Sequence, residues 1–269
     1  DNELIKFAAK CDGIIAGTEM YSRDVMEQLS QLKIISRLGV GMDNIDLDEA
    51  QQNGIKIFKT QTTPGPAVAE LALGLMLDIA RKISYQNNVM KSGEWKKHMG
   101  NLLYGKTLGV IGLGSIGKNL IRLTNGFNFQ ILAFDSYHDQ KFALENNVKY
   151  CDFNSLLSNS DIITIHLNLN DETHQLINSS KISKMKPGSI LVNTSRGEII
   201  DENALYAALK SNQISGAGLD VFEKEPYSGP LTKLDNAILT PHIGSYAKEI
   251  RIQMEMEATQ NLIKGLNEK

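Results

Sequence analysis

The 269 residues are 42% hydrophobic and 22% charged, a balance that fits a water-soluble globular chain of one or two domains and excludes a disulfide-stapled module or a disordered chain. Lysine and arginine number 28 against 31 acids, a net charge of −3, so no nucleic-acid partner is expected. The longest apolar run, Ala67 to Ala80, is interrupted by Glu70 and Asp78 and is too short to span a bilayer, so no membrane partner is expected either.

Extended and helical patterns alternate from the start, the mark of an α/β chain with parallel strands. Gly13–Ala16 reads as a strand, 22–30 as a helix capped by Ser22, and 33–37 as a second strand. Asp46 caps a short helix ended by Gly54, and 55–58 is a third strand. From Ala67 to about Met90 the first half is apolar on nearly every side, which predicts one helix buried all round. The polar, glycine-punctuated stretch 91–105 reads as a connection. Beyond it, strands are predicted at 107–111, 130–134, 161–167, 189–194, 216–221 and 237–240. Tyr246 to Leu266 carries apolar residues at helical spacing and forms a closing helix. Cys11 and Cys151 lack metal-type spacing, so no metal site and a reducing, cytoplasmic setting are expected.

The glycine pattern Gly112-Leu113-Gly114-Ser115-Ile116-Gly117 follows a strand, opens a helix and precedes a strand ending in Asp135. In that context it signals a dinucleotide site: glycines for the tight turn and the close approach of a pyrophosphate, with helix-start amides beneath it. Asp135 can take both ribose hydroxyls and repels a 2′-phosphate, which favours NAD over NADP.

Three later strand ends carry Asn193-Thr194-Ser195-Arg196-Gly197, the Asp220 to Pro226 segment and Thr240-Pro241-His242-Ile243-Gly244. Together they offer a fixed cation, a carboxylate and a titratable imidazole, the parts needed to move a proton and a hydride on a 2-oxo or 2-hydroxy acid. With 37–46 (RLGVGMDNID), 67–70 (AVAE) and the glycine pattern, these segments resemble the D-isomer-specific 2-hydroxyacid dehydrogenases over nearly the whole chain. Within that family the similarity is greatest to the branch that oxidises 3-phospho-D-glycerate to 3-phosphohydroxypyruvate in serine biosynthesis. Glyoxylate or hydroxypyruvate reduction, or an NADH-sensing corepressor-like binding role, are the alternatives.

The resemblance implies a Rossmann-type NAD-binding domain, 83–244, inserted into a smaller flavodoxin-like α/β substrate domain, 1–82 with 245–269, which lacks its first strand here. It implies a homodimer. It makes Arg196, Glu225 and His242 the catalytic set. Arg196 would hold the substrate carboxylate with its planar fork, His242 would exchange the proton, and Glu225 would orient His242 and favour its protonated form. Asp220 is expected near the nicotinamide carboxamide, with His166, Thr194, Ser195 and Gly244 also toward the cofactor. Arg37 is the candidate for a substrate phosphate, and Val40 and Gly41 for backbone contacts to the substrate carboxylate. His98, His138 and His174 read as solvated loop residues.

Overall fold

A computed structural model describes residues 2–267. Its contacts divide the chain into two compact units, one made of the residues up to Pro64 and those from Ser245 onward, the other of Gly65–Gly244.

The first unit contains α1 (Asn2–Ala8), β1 (Gly13–Ala16), α2 (Arg23–Met26), β2 (Ile34–Arg37), α3 (Leu47–Gln52) and β3 (Lys56–Lys59). Its strands form a parallel sheet in the order β1-β2-β3, with Ile35 opposite both Ile14 and Ile57. The middle strand β2 is buried along its whole length, as a parallel strand covered on both faces must be. Tyr21, Val25, Met26, Leu29 and Ala50 pack with it in one core. The closing helix, Lys248–Asn267, also packs on these strands, and Ser36 Oγ donates to Ala258 O at 2.8 Å. Asp46 caps α3 as expected, accepting from Glu49 N. The helix expected over 22–30 stops at Met26. Ser22 makes no side-chain cap bond, and the tighter bonds Gln28 N to Val25 O and Leu29 N to Met26 O turn Leu29 into the core instead. Helix α1 stands ahead of the first expected strand.

The second unit runs α4 (Gly65–Arg81), α5 (Ile83–Lys91), β4 (Thr107–Ile111), α6 (Ser115–Leu123), β5 (Gln130–Phe134), α7 (Gln140–Glu145), β6 (Val148–Tyr150), α8 (Phe153–Asn159), β7 (Ile162–Ile165), α9 (Ser179–Ile182), β8 (Ile190–Asn193), α10 (Glu202–Lys210), β9 (Gly216–Leu219) and β10 (Ala237–Leu239). Among the described residues its parallel sheet has the order β10-β9-β8-β7-β4-β5-β6. The order reverses between β4 and β7, and in such sheets ligands bind beyond the carboxyl ends of the strands at that switch point.

Three expectations change here. The entry boundary lies at 64/65 rather than 82/83, because α4 packs on α6, β8 and β9 and buries Ala69, Ala72, Leu75 and Met76 in the core that holds Leu108 and Val110. The single helix over 67–90 is two helices. Lys82 adopts a left-handed conformation, φ 54°, and Asp78 accepts from Ser84 N at 2.7 Å to start α5 afresh. The short strand β6 was missed; a left-handed Asn147, φ 53°, turns the chain into it, and three residues are too few to show a period.

Candidate active site

At the switch point, Gly112 has φ +92°, and a Cβ there would lie 2.5 Å from His166 O, so the glycine lets the turn pass against the end of β7. Gly117 packs as tightly on Gly112 O, whereas Gly114 faces open space. Ser115 and Ile116 begin α6, whose first-turn amides lie beside that space. Asp135 ties the loop to β5: Oδ2 accepts from Leu113 N at 2.6 Å and Oδ1 from Tyr137 N at 2.9 Å. A carboxylate has about four lone-pair positions, so capacity remains for ribose hydroxyls. Thr194 Oγ1 and His166 Nδ1 are buried without a partner among the described residues, a condition rare in folded proteins unless a ligand or water satisfies them. His166 Nε2 lies 2.9 Å from Thr164 Oγ1, and burial pushes the His166 imidazole down to about 3, so it is neutral. An open glycine turn, an acid at the ribose position and orphaned buried polar atoms fit a bound dinucleotide.

Strands β8, β9 and β10 are neighbours, and their carboxyl ends bring Arg196, Glu225 and His242 together. His242 Nδ1 lies 2.8 Å from Glu225 Oε2. Burial works against the Glu225 carboxylate, but the His242 hydrogen bond and charge, the Phe222 amide and the Arg196 guanidinium outweigh it and hold the group below the ordinary glutamate value. An ionised carboxylate only accepts. Nδ1 therefore carries the ring proton in this contact, and Nε2 is the atom available to exchange a proton with substrate. Arg196 is half-buried, with Nη1 donating to Ser195 O at 2.7 Å. Ser195 is itself set by Asn193, whose Oδ1 accepts from both its amide and its hydroxyl.

His242 sits at φ 53°, a left-handed conformation that costs about 1–3 kcal/mol and persists only when its surroundings over-determine it. Asp220 supplies that determination. Its Oδ1 accepts from Thr240 Oγ1 at 2.6 Å and Ile243 N at 2.8 Å, its Oδ2 from Gly244 N at 2.8 Å, and its own carbonyl from His242 N at 2.9 Å. Burial pushes the Asp220 carboxyl up despite these bonds and the nearby His242 charge. The family resemblance implies Asp220 and Gly244 at the cofactor; the bracket between them is not legible in the sequence, because it joins the ends of two strands.

In the first unit, Arg37 is only 6% exposed. Its Nε donates to Asn44 Oδ1 at 3.1 Å and its Nη1 to the carbonyls of Leu38 and Ala16, so the guanidinium braces its own loop. Val40 is exposed and Gly41 half-buried on that loop. His98 departs from the solvated reading: its ring meets Tyr85 edge-on, centroids 4.7 Å apart, with Nε2 buried. His138 is exposed but stacks on Tyr150, and His174 is exposed. Among the described residues no group of acids, cysteines and histidines could hold a metal ion, and no helix is long and apolar enough to cross a membrane.

Residues 73–244 match the family model of the D-isomer specific 2-hydroxyacid dehydrogenase, NAD binding domain. A glyoxylate reductase from Thermococcus litoralis is 41% identical over 256 residues, which cover 91% of this chain and 77% of that protein. A D-3-phosphoglycerate dehydrogenase from Archaeoglobus fulgidus is 41% identical over 98% of this chain, which spans 52% of that protein's length. A solved structure of phosphoglycerate oxidoreductase from Vibrio cholerae O395 superimposes with a TM-score of 0.92 at 28% identity, covering 100% of this chain and 88% of that one. The chain with this glycine turn and these three strand-end loops belongs to the D-isomer specific 2-hydroxyacid dehydrogenases, enzymes that work with NAD.

Proposed function

We propose that Arg196 and His242 carry out the reversible reduction of a small 2-oxo acid to its 2-hydroxy acid, with Glu225 holding His242. The observation that carries this reading is the 2.8 Å contact between His242 Nδ1 and Glu225 Oε2, which leaves Nε2 as the proton-exchanging atom. When bound, the reduced nicotinamide supplies the hydride that the carbonyl carbon receives. His242 Nε2 gives the carbonyl oxygen its proton, and in oxidation takes it back from the hydroxyl. The Arg196 fork holds the substrate carboxylate and polarises the adjacent carbonyl. Gly112, Gly114, Ser115, Ile116 and Gly117 cradle the pyrophosphate, Asp135 takes the ribose, and His166, Thr194, Ser195, Asp220 and Gly244 line the rest of the cofactor site.

For the substrate we propose an unphosphorylated acid of the glyoxylate or hydroxypyruvate kind, with Val40 and Gly41 contributing to its binding. Arg37, the candidate for a phosphate, spends its guanidinium on Asn44, Leu38 and Ala16. Oxidation of 3-phospho-D-glycerate is the second reading, supported by the identity with the Archaeoglobus enzyme over 98% of the chain. The test follows nicotinamide absorbance with glyoxylate, hydroxypyruvate and phosphohydroxypyruvate in turn. A clear preference for the phosphorylated acid overturns the first substrate reading. Inactivity on all three, with NADH bound, overturns the enzymatic one in favour of a binding protein. A homodimer is also proposed, supported by Trp95 and Met99, which stand 81% and 90% exposed beside exposed Leu102 and Tyr104; light scattering of the purified chain tests it. The free thiols of Cys11 and Cys151 support a cytoplasmic setting.

A further inference from the structure

The loop after β9 carries Glu225, and two contacts from outside that loop hold its Phe222–Glu223 peptide. Gly197, next to Arg196, has no room for a side chain: a Cβ there would lie 1.9 Å from Phe222 C and 2.3 Å from Glu223 N. The Phe222–Glu223 peptide therefore lies directly on the Gly197 backbone. From the other contact, Glu202 Oε1 accepts from Glu223 N at 2.8 Å. Glu202 is the first residue of α10, a helix fixed by Asp201, which accepts from Asn203 N and Ala204 N at 3.0 Å each. The next amide back, Phe222 N, donates to Glu225 Oε1 at 3.2 Å, and Glu225 Oε2 faces His242. Two consecutive amides are thus divided between two carboxylates, one anchored on a helix and one serving the imidazole.

We infer that Glu202 is a positioning residue of the reaction: its carboxylate pins the Phe222–Glu223 peptide so that Phe222 N holds Glu225 in line with His242. The inference rests on the proposed roles of Glu225 and His242. Gln175 Nε2, 3.4 Å from Glu223 Oε1, secures the same loop more weakly. Burial pushes the Glu202 carboxyl up, the Glu223 amide pulls it back, and the charges of Glu223 and Glu198 push it up again. A carboxylate kept in a place so unfavourable to its charge agrees with a role beyond surface solvation. Glu225 itself is faced by His242 from the β10 loop, by Arg196 from the β8 loop and by the Phe222 amide from its own loop, so loosening that amide alone changes the protonation of Glu225.

The test is the pH profile of kcat, from about pH 4 to pH 9, on the acid that the enzyme turns over. Glu202→Ala is expected to lower kcat about tenfold with KM for NADH unchanged, and to move the acid limb to higher pH, because Glu225 loses an amide that favours its charged form. Glu202→Gln keeps the accepting oxygen and should restore both kcat and the acid limb. Should Glu202→Ala not fold, Glu202→Asp, one methylene too short to reach Glu223 N, is expected to give the same shift. A wild-type kcat and acid limb in Glu202→Ala, or in Glu202→Asp if that variant takes its place, would overturn the inference, as would a loss shared equally by Glu202→Gln. His242→Ala separates the two levels: if it retains turnover, the reading of the whole site fails, whereas if it loses turnover and Glu202→Ala does not, only the positioning role of Glu202 fails.

Discussion

Two arginines of this chain stand at the carboxyl ends of parallel strands, Arg37 as the last residue of β2 and Arg196 in the loop after β8, each close ahead of a glycine. Their surroundings differ. Arg37 is buried, and it spends its donors on the carbonyls and the asparagine that shape its own loop. Arg196 is half-buried beside the Glu225 carboxylate, at a sheet edge where an imidazole is also presented. Burial and neighbouring groups separate the two arginines, and residue type with strand-end position does not.

The largest effect that tests this contrast is at His242, which shares Glu225 with Arg196 as a neighbour. His242→Ala should lower turnover by about 10²-fold to 10⁴-fold while NADH still binds, since proton transfer by a placed side chain is worth about that much; near-normal turnover would remove the site from contention. Next, Arg196→Lys keeps the charge but loses the fork, and kcat/KM for the acid should fall about 10²-fold, the value of a charge-assisted bidentate contact. Asp135→Ala is expected to weaken NADH about 10-fold to 10²-fold and NADPH far less, measured by fluorescence titration. Equal losses for both would show that Asp135 only ties the glycine loop to β5. The smallest catalytic effect belongs to Arg37→Met. It should lower unfolding stability by about 1–3 kcal/mol in urea, as its carbonyl and asparagine partners are left unpaired, without altering the ratio of kcat/KM for phosphohydroxypyruvate to that for hydroxypyruvate. A selective loss on the phosphorylated acid would return Arg37 to the substrate and erase the contrast.

What the sequence makes legible follows from how local its cause is. The glycine turn is readable because a left-handed φ of +92° and the close pass of His166 O leave only glycine at Gly112. The proposed trio is readable through the family resemblance of the segments that carry it, which lie in the loops after the buried strands β8 and β9 and the half-buried strand β10. The break at Lys82 is not, since a lysine at φ 54° has no residue-type signature and is held by Asp78 turning back to Ser84. Nor is the bracket of Asp220 around the His242 loop, or the seat of Glu223 on Gly197 and Glu202, because each joins segments that only the sheet order makes neighbours. The polar character of His98 suggests solvation, and its edge-on contact with Tyr85 is not visible from the sequence.

The main-chain contact between Gly197 and the Phe222–Glu223 peptide bears on attempts to redirect this enzyme to other acids. Where two backbones touch, no choice of side chain can adjust their spacing. A mutant library spread over every strand-end loop would waste its members at position 197, where each would push the arginine-bearing loop off the glutamate-bearing one. Diversity is better placed at exposed positions such as Val40, proposed above as a substrate contact.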